Sequence, residues 1–216
     1  MKIFLIIHLL ASCLFAIPGW ETKTTLSSAS VDSVYPALAA RGERVVCVWQ
    51  GKMNGAISLF YRVSDSSGRK FEPLKQFASR NSSDTIMPSV CIDENKNFFI
   101  AYGGDDFGVY LSTNGNAPVK VTQISGRALM PQIFYASNRL YIVFLSDENR
   151  AFSIKIISSE NSGAAWGKPQ TIAEEISQEI KGSFFPAAIF DGAEIYMFWQ
   201  DRTSRENFRN DVIKFK

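Results

Sequence analysis

Apolar and polar residues alternate along most of this chain in short runs broken by Gly, Pro, Asn, Asp and Ser, the pattern of half-buried β-strands joined by turns. Four segments repeat one theme: an apolar residue, a proline, a short alternating strand, a polar turn, then an apolar strand closing on an aromatic. They are Tyr35-Pro36 to Trp49, Met87-Pro88 to Tyr102, Met130-Pro131 to Phe144, and Phe185-Pro186 to Trp199. From proline to closing aromatic the separations are 13, 14, 13 and 13 residues, while successive prolines lie 52, 43 and 55 residues apart. Constant spacing within a unit and slack between units describe a repeated sheet with variable loops.

Each unit continues alike. A polar turn (Gln50-Gly51-Lys52, Gly103 to Asp106, Ser146 to Asn149, Gln200 to Arg202) leads to a third alternating strand, Ile57 to Val63, Phe107 to Leu111, Phe152 to Ile157 or Val212 to Phe215. A hairpin and a fourth strand follow, at Phe71 to Phe77, Val119 to Ile124 and Gly167 to Ala173. The unit is thus a four-stranded meander of about fifty residues, the size of a propeller blade. The reading is an all-β fold: a small β-propeller of about four four-stranded antiparallel blades. The chain ends after the third strand of the fourth unit, and Gly19 to Leu26 matches Ala165 to Ile172. The N-terminal strand is therefore expected to pair with Val212 to Phe215 and close the last blade, which leaves no open edge. A closed monomer is the expectation, and two copies sharing eight blades are the alternative.

The third hairpin carries Ser159-Glu160-Asn161-Ser162-Gly163-Ala164-Ala165-Trp166, in which the Asn161 side chain can cap nearby backbone N–H groups and Gly163 can take positive φ. This octapeptide resembles the Asp box, Ser-x-Asp-x-Gly-x-x-Trp, of sialidase-like (BNR repeat) proteins, with Asn161 at the Asp position. An eroded copy runs from Ser64 to Phe71 and a fragment from Ser112 to Gly115. The resemblance implies a structural role for Ser159, Asn161, Gly163 and Trp166, at the outer edge of a blade and away from any chemistry. Phe198-Trp199-Gln200-Asp201-Arg202 is similar to a strand end of exported Asp-box repeat proteins. The enzymes of the family carry a Phe-Arg-Ile-Pro motif, an Arg trio for a sialic acid carboxylate and a Tyr–Glu pair. None of the four unit starts has a preceding Arg, and Arg127, three residues before Met130, is the nearest. No catalytic residue carries over, so a non-catalytic member is expected.

Residues 1–19 read as a signal peptide: Lys2 opens it, and Ile3 to Leu10 are apolar but too short to span a bilayer. Leu10-Ala11-Ser12-Cys13 looks like a bacterial lipobox, making Cys13 a lipidation candidate, against an ordinary cut after Ala16 with Leu14 poorly placed for it. Residues 20–216 form the propeller. The expected setting is exported: a periplasmic or cell-envelope lipoprotein, or a secreted protein. Cys47 and Cys91 each lie within an apolar strand and read as buried free thiols, a disulfide between neighbouring blades being the alternative.

Composition narrows the chemistry. A net charge of +2, with charges spread along the chain, gives no nucleic-acid footprint. The single histidine, His8, lies in the leader, so the exported part lacks the usual general base and the commonest zinc ligand. No metal-ligand spacing occurs, Asp105-Asp106 lacks the spaced acidic loop of a Ca²⁺ site, and no cofactor is expected. Repetition puts the polar turns on one rim, where Gln50, Lys52, Asp105, Asp106, Asp147, Glu148, Arg150, Gln200, Asp201 and Arg202 form a candidate binding face for a protein or glycan, weighed against plain solvated loops. The matched aromatics Trp49, Tyr102, Phe144 and Trp199 read as core rather than as sugar platforms. Arg202, Arg205, Glu206 and Arg209 form a dense charge cluster. The function expected is an exported, non-catalytic binding or scaffold module at the envelope. The alternative is a degenerate sialidase-type glycosidase using carboxylates such as Asp105 or Glu148, which need no histidine.

Overall fold

A computed structural model describes residues 23–28, 32–53, 55–80, 87–104, 106–148, 152–174, 186–191, 193–202 and 211–215. The described chain is all-β and builds four antiparallel sheets. The first holds β1 (Asp32–Arg41), β2 (Arg44–Met53), β3 (Ala56–Ser64) and β4 (Lys75–Arg80). The second holds β5 (Ser89–Ile92), β6 (Phe98–Gly103), β7 (Val109–Thr113) and β8 (Val119–Lys120). The third holds β9 (Ala128–Ala136), β10 (Arg139–Ser146), β11 (Ser153–Ser159) and β12 (Gln170–Glu174). The fourth has three strands, β13 (Ala187–Phe190), β14 (Ile195–Arg202) and β15 (Asp211–Phe215). Strand order follows chain order in every sheet, as hairpin connections dictate. The arrangement is that of small propeller blades.

Two strand ends differ from the sequence expectation. Gln50-Gly51-Lys52 and Gln200-Asp201-Arg202 are not turns but lie within the last four residues of β2 and β14, paired with Leu59, Ser58 and Ile57 and with Ile213, Val212 and Asp211. Backbone pairing carries these hairpins beyond the closing aromatic, since polar side chains do not stop a ladder whose partner strand continues. The fourth strands are shorter than expected, beginning at Lys75 and Gln170 and reduced to Val119–Lys120 in the second sheet.

Alternation decides which face of each sheet meets which neighbour. Val46 and Val48 pack with Val90, Ile92, Phe98 and Ile100 of the second sheet. Cys91, Phe99, Ala101 and Leu111 pack with Ile133, Leu140, Ile142 and Phe144 of the third. Val143, Leu145 and Ile154 pack with Met197 and Trp199 of the fourth. Three junctions therefore use one rule: the closing aromatic and its i−2 neighbour face the preceding sheet, and the residue between them faces the next. Trp49, Tyr102, Phe144 and Trp199 are all buried, as expected of core residues. Cys47 and Cys91 are free, buried thiols, and burial pushes both up from their ordinary range.

The two ends of the row of sheets are different. Leu38 holds the place of Val90, Ile133 and Ala188 at the three junctions, each opposite the i−2 residue of its sheet, yet it is 65% exposed. Ile189 holds the place of Ala39, Cys91 and Phe134, and is 60% exposed. The expected N-terminal closing strand is not formed by the described residues: 23–26 carry no strand, and β15 pairs only with β14 among them. Leu26 nevertheless lies on Cys47, Trp49 and Phe60, on the face of the first sheet that has no preceding sheet. Trp20 and the leader, including Cys13, lie outside the described residues.

Three innermost strands begin with strain at the residue before the proline. Tyr35, Met87 and Met130 have φ of 52°, 35° and 53°, each immediately before a proline. That residue is normally confined to extended backbone, and side chains rarely adopt positive φ. In β1 and β9 the site coincides with a register shift, between Val34 and Ala37 and opposite Val143 to Leu145. In β1 and β9 the Pro repeat thus marks a β-bulge in the innermost strand.

A candidate binding face on the rim

Register puts two kinds of loop at opposite ends of each sheet. At one end strand two meets strand three, through Lys52 and Ile57, Gly103 and Val109, Ser146 and Ser153, and Arg202 and Asp211. At the other end lie the box hairpins, through Val45 and Ser64, Phe99 and Thr113, and Leu140 and Ser159.

The complete box is a closed hydrogen-bond system. The Ser159 hydroxyl accepts from Gly163 N–H at 2.9 Å and donates to Asn161 Oδ1 at 2.9 Å, and Asn161 Oδ1 also accepts from Ala165 N–H at 2.8 Å. Trp166 Nε1 donates to the Gly163 carbonyl at 3.1 Å. Ser162 and Gly163 take φ of 55° and 87°, the paired positive φ that suits a twisted hairpin. In the eroded copy Ser64 and Ser66 make equivalent bonds to Gly68 and Lys70 N–H at 3.0 Å each, so a hydroxyl substitutes for the amide. Ser159, Asn161, Gly163 and Trp166 thus share these hydrogen bonds within one turn, while Glu160 pairs with Arg139.

The opposite rim collects charge. Asp106 Oδ2 takes a 2.7 Å bond from Lys120 Nζ and a 3.3 Å bond from the Tyr110 hydroxyl, while its Oδ1 accepts from Gly108 N–H at 3.1 Å. Asp147 pairs with Arg127, whose guanidinium also lies 5.7 Å from the centre of the Phe107 ring. Glu148 pairs with Lys155 and accepts from Ser125 N–H at 3.1 Å. The Lys120 ammonium holds the Asp106 carboxyl below the usual carboxylate range, and the Lys155 ammonium does the same for Glu148. Beside them a polar groove of about 590 Å³ runs between the second and third sheets, lined by Lys120, Gln123, Glu148, Lys155, Trp166 and Lys168 among others.

Of the residues the sequence nominated for this rim, Asp106, Asp147 and Glu148 come together between the second and third sheets. Gln50 is buried within β2 rather than presented on a loop. Gln200, Asp201 and Arg202 belong to β14; Asp105, Arg150, Arg205, Glu206 and Arg209 lie outside the described residues. Sequence reasoning missed Lys120, Ser125 and Lys155, and gave Arg127 no partner. The signal for Lys155 was a lysine inside the apolar run Ile154 to Ile157. Among the described residues no group of three or more His, Cys, Asp or Glu side chains gathers as a metal site.

No family model and no curated protein sequence matches this chain. Solved structures do. A protein of unknown function from Dyadobacter fermentans matches at 12% identity, covering 80% of this chain and 63% of that one, with a TM-score of 0.60. A Hadza microbial sialidase matches at 14% identity over 85% of this chain and 44% of that one, with a TM-score of 0.56. A GH43 endo-arabinanase from Bacillus licheniformis matches at 13% identity over 85% and 72%, with a TM-score of 0.50. The chain thus spans between under half and about three quarters of these proteins' length. At such identities the likeness speaks for fold alone: the chain folds like the β-propellers of sialidases and arabinanases.

Proposed function

We propose that this protein is an exported, non-catalytic Asp-box propeller that serves as a binding or scaffold module at the cell envelope, with the rim between the second and third sheets as its contact face. The observation that carries the reading is the pairing of three rim carboxylates between the second and third sheets. Asp106, Asp147 and Glu148 are each tied to a cation, Lys120, Arg127 and Lys155. Glycoside hydrolysis by a carboxylate pair needs one acid that stays protonated near neutrality. The lysines beside Asp106 and Glu148 work against that, because they favour the ionised form.

A hydrolase reading has one observation in its favour, the fold likeness to a sialidase and an arabinanase. Fluorogenic sialoside and arabinoside substrates separate the two. The exported full chain is expected to turn over neither, and turnover lost in Glu148→Gln would replace the binding-module reading with the hydrolase. A pull-down from the native envelope, compared with one using the double variant Lys120→Glu and Lys155→Glu, identifies the partner and checks the face.

A further inference from the structure

The two ends of the row of sheets carry faces built to meet each other. At each of the three junctions a pair of innermost-strand residues shares one core cluster: Ala39 with Val90, Cys91 with Ile133, and Phe134 with Ala188. The same two register positions at the open ends are Ile189, on the fourth sheet, and Leu38, on the first, and both are exposed. A fourth junction of the same chemistry is thus present as two separated halves.

The half on the first sheet also has a space to fill. An apolar groove of about 530 Å³ lies there, lined by Leu26, Val34, Pro36, Leu38, Cys47 and Trp49 among others. Leu26 forms its far wall, resting on Cys47 and Trp49. Ile172, the residue that matches Leu26 in the sequence repeat, packs against the cluster of Val143, Leu145, Ile154, Met197 and Trp199 at the junction with the fourth sheet. In the third sheet Ile172 belongs to the outermost strand, with three inner strands between it and the axis. Leu26 thus takes, against the first sheet, a place like that of Ile172 against the fourth, and among the described residues no strand pairs with 23–26. The fourth sheet is the converse, three inner strands with no outermost one among the described residues. On the same face of the first sheet Arg62, opposite Cys47, keeps a buried Nε with no acceptor.

We propose that a second copy of this chain completes the ring. The fourth sheet of each copy enters the groove of the other, Ile189 meets Leu38 across two identical junctions, and the partner's N-terminal segment pairs along β15. Closure within one chain would bend three junctions already packed through fully buried side chains, which close-packed cores resist. A second copy would instead supply the missing half of each junction from outside, Ile189 against Leu38. Two such head-to-tail contacts related by a twofold axis close on themselves.

Light scattering after size exclusion of the full chain, purified after export, tests this. The expected mass is twice that of one chain; a monomer at micromolar concentration, or a ladder of higher oligomers, overturns the proposal. Leu38→Glu places an unpaired carboxylate in the junction and is expected to weaken association by about 100-fold or more, with the β-sheet circular dichroism signal of the folded chain retained. Ile189→Lys is expected to do the same. Combining the two in one chain sets opposite charges across both junctions and is expected to recover most of the dimer. A dimer that survives Leu38→Glu, or a double variant no better than the singles, rules out this contact.

Discussion

Gly163 and Gly68 hold the same place in two hairpins, with φ of 87° and 80°. They differ in their surroundings. A Cβ on Gly163 would lie 2.6 Å from Leu111 Cδ2 of the preceding sheet, whereas a Cβ on Gly68 meets nothing within 4 Å. Gly68→Ala should cost about 1 kcal/mol for the left-handed backbone alone, and Gly163→Ala about 1 to 3 kcal/mol more for the overlap. Urea unfolding of both variants measures the difference, and equal costs would mean that the hairpin does not press on its neighbour. Asn161→Ala removes the acceptor for Ser159 Oγ–H and Ala165 N–H and should cost about 1 kcal/mol. Asn161→Asp keeps an acceptor and should stay near wild type. The thiols of Cys47 and Cys91 are buried and held protonated, so a thiol reagent should label neither in the native protein at pH 8 and both in urea.

Within an element, the sequence pattern was a good guide where contacts are local. Period-two alternation located the strands, and each box hairpin was legible from its Ser, Asn and Gly residues because its hydrogen bonds close within a few positions. The polar run Gln200-Asp201-Arg202 was misread as a turn, since only the partner residues Asp211 to Ile213 decide that a ladder continues there. The rim charges show the same division. Asp106 and Glu148 were visible as polar loop residues, but their partners come from other strands, Lys120 at the end of β8 and Lys155 in β11. These lowered carboxylates contribute stability that is present above the ordinary carboxylate range and lost as pH falls below it. The urea midpoint should therefore be flat from pH 7 to about pH 5 and fall below about pH 4, and Asp106→Asn should flatten part of that fall. A midpoint that rises on acidification would contradict the pairing. At the sheet-to-sheet scale, Phe144 is fully buried between the second and third sheets. Phe144→Ala should cost about 3 to 5 kcal/mol by opening a cavity there, read as a drop in thermal midpoint.

For the whole molecule, the exposed Leu38 and Ile189 make protein concentration the variable that tests the proposed dimer. If two copies close the ring, the thermal midpoint should rise with protein concentration. Leu26→Ser, which strips the far wall of the groove, should lower the midpoint and weaken that dependence. A midpoint independent of concentration over two decades would argue for a self-sufficient single chain.

The sequence by itself determined the blade: four copies of a proline, an alternating strand and a closing aromatic, with box hairpins at fixed offsets. It could do so because hairpin registers are set by neighbours a few residues apart. Only the tertiary structure decided how the sheets meet. It assigned Val48, Ala101 and Val143 to the next sheet and Tyr102, Phe144 and Trp199 to the preceding one. It tied the rim carboxylates to lysine and arginine, bent the backbone at Tyr35, Met87 and Met130, and left Leu38 and Ile189 in solvent. Those outcomes depend on the angle between sheets, which is set by side-chain volumes meeting across junctions tens of residues apart in the chain. No local pattern encodes that angle.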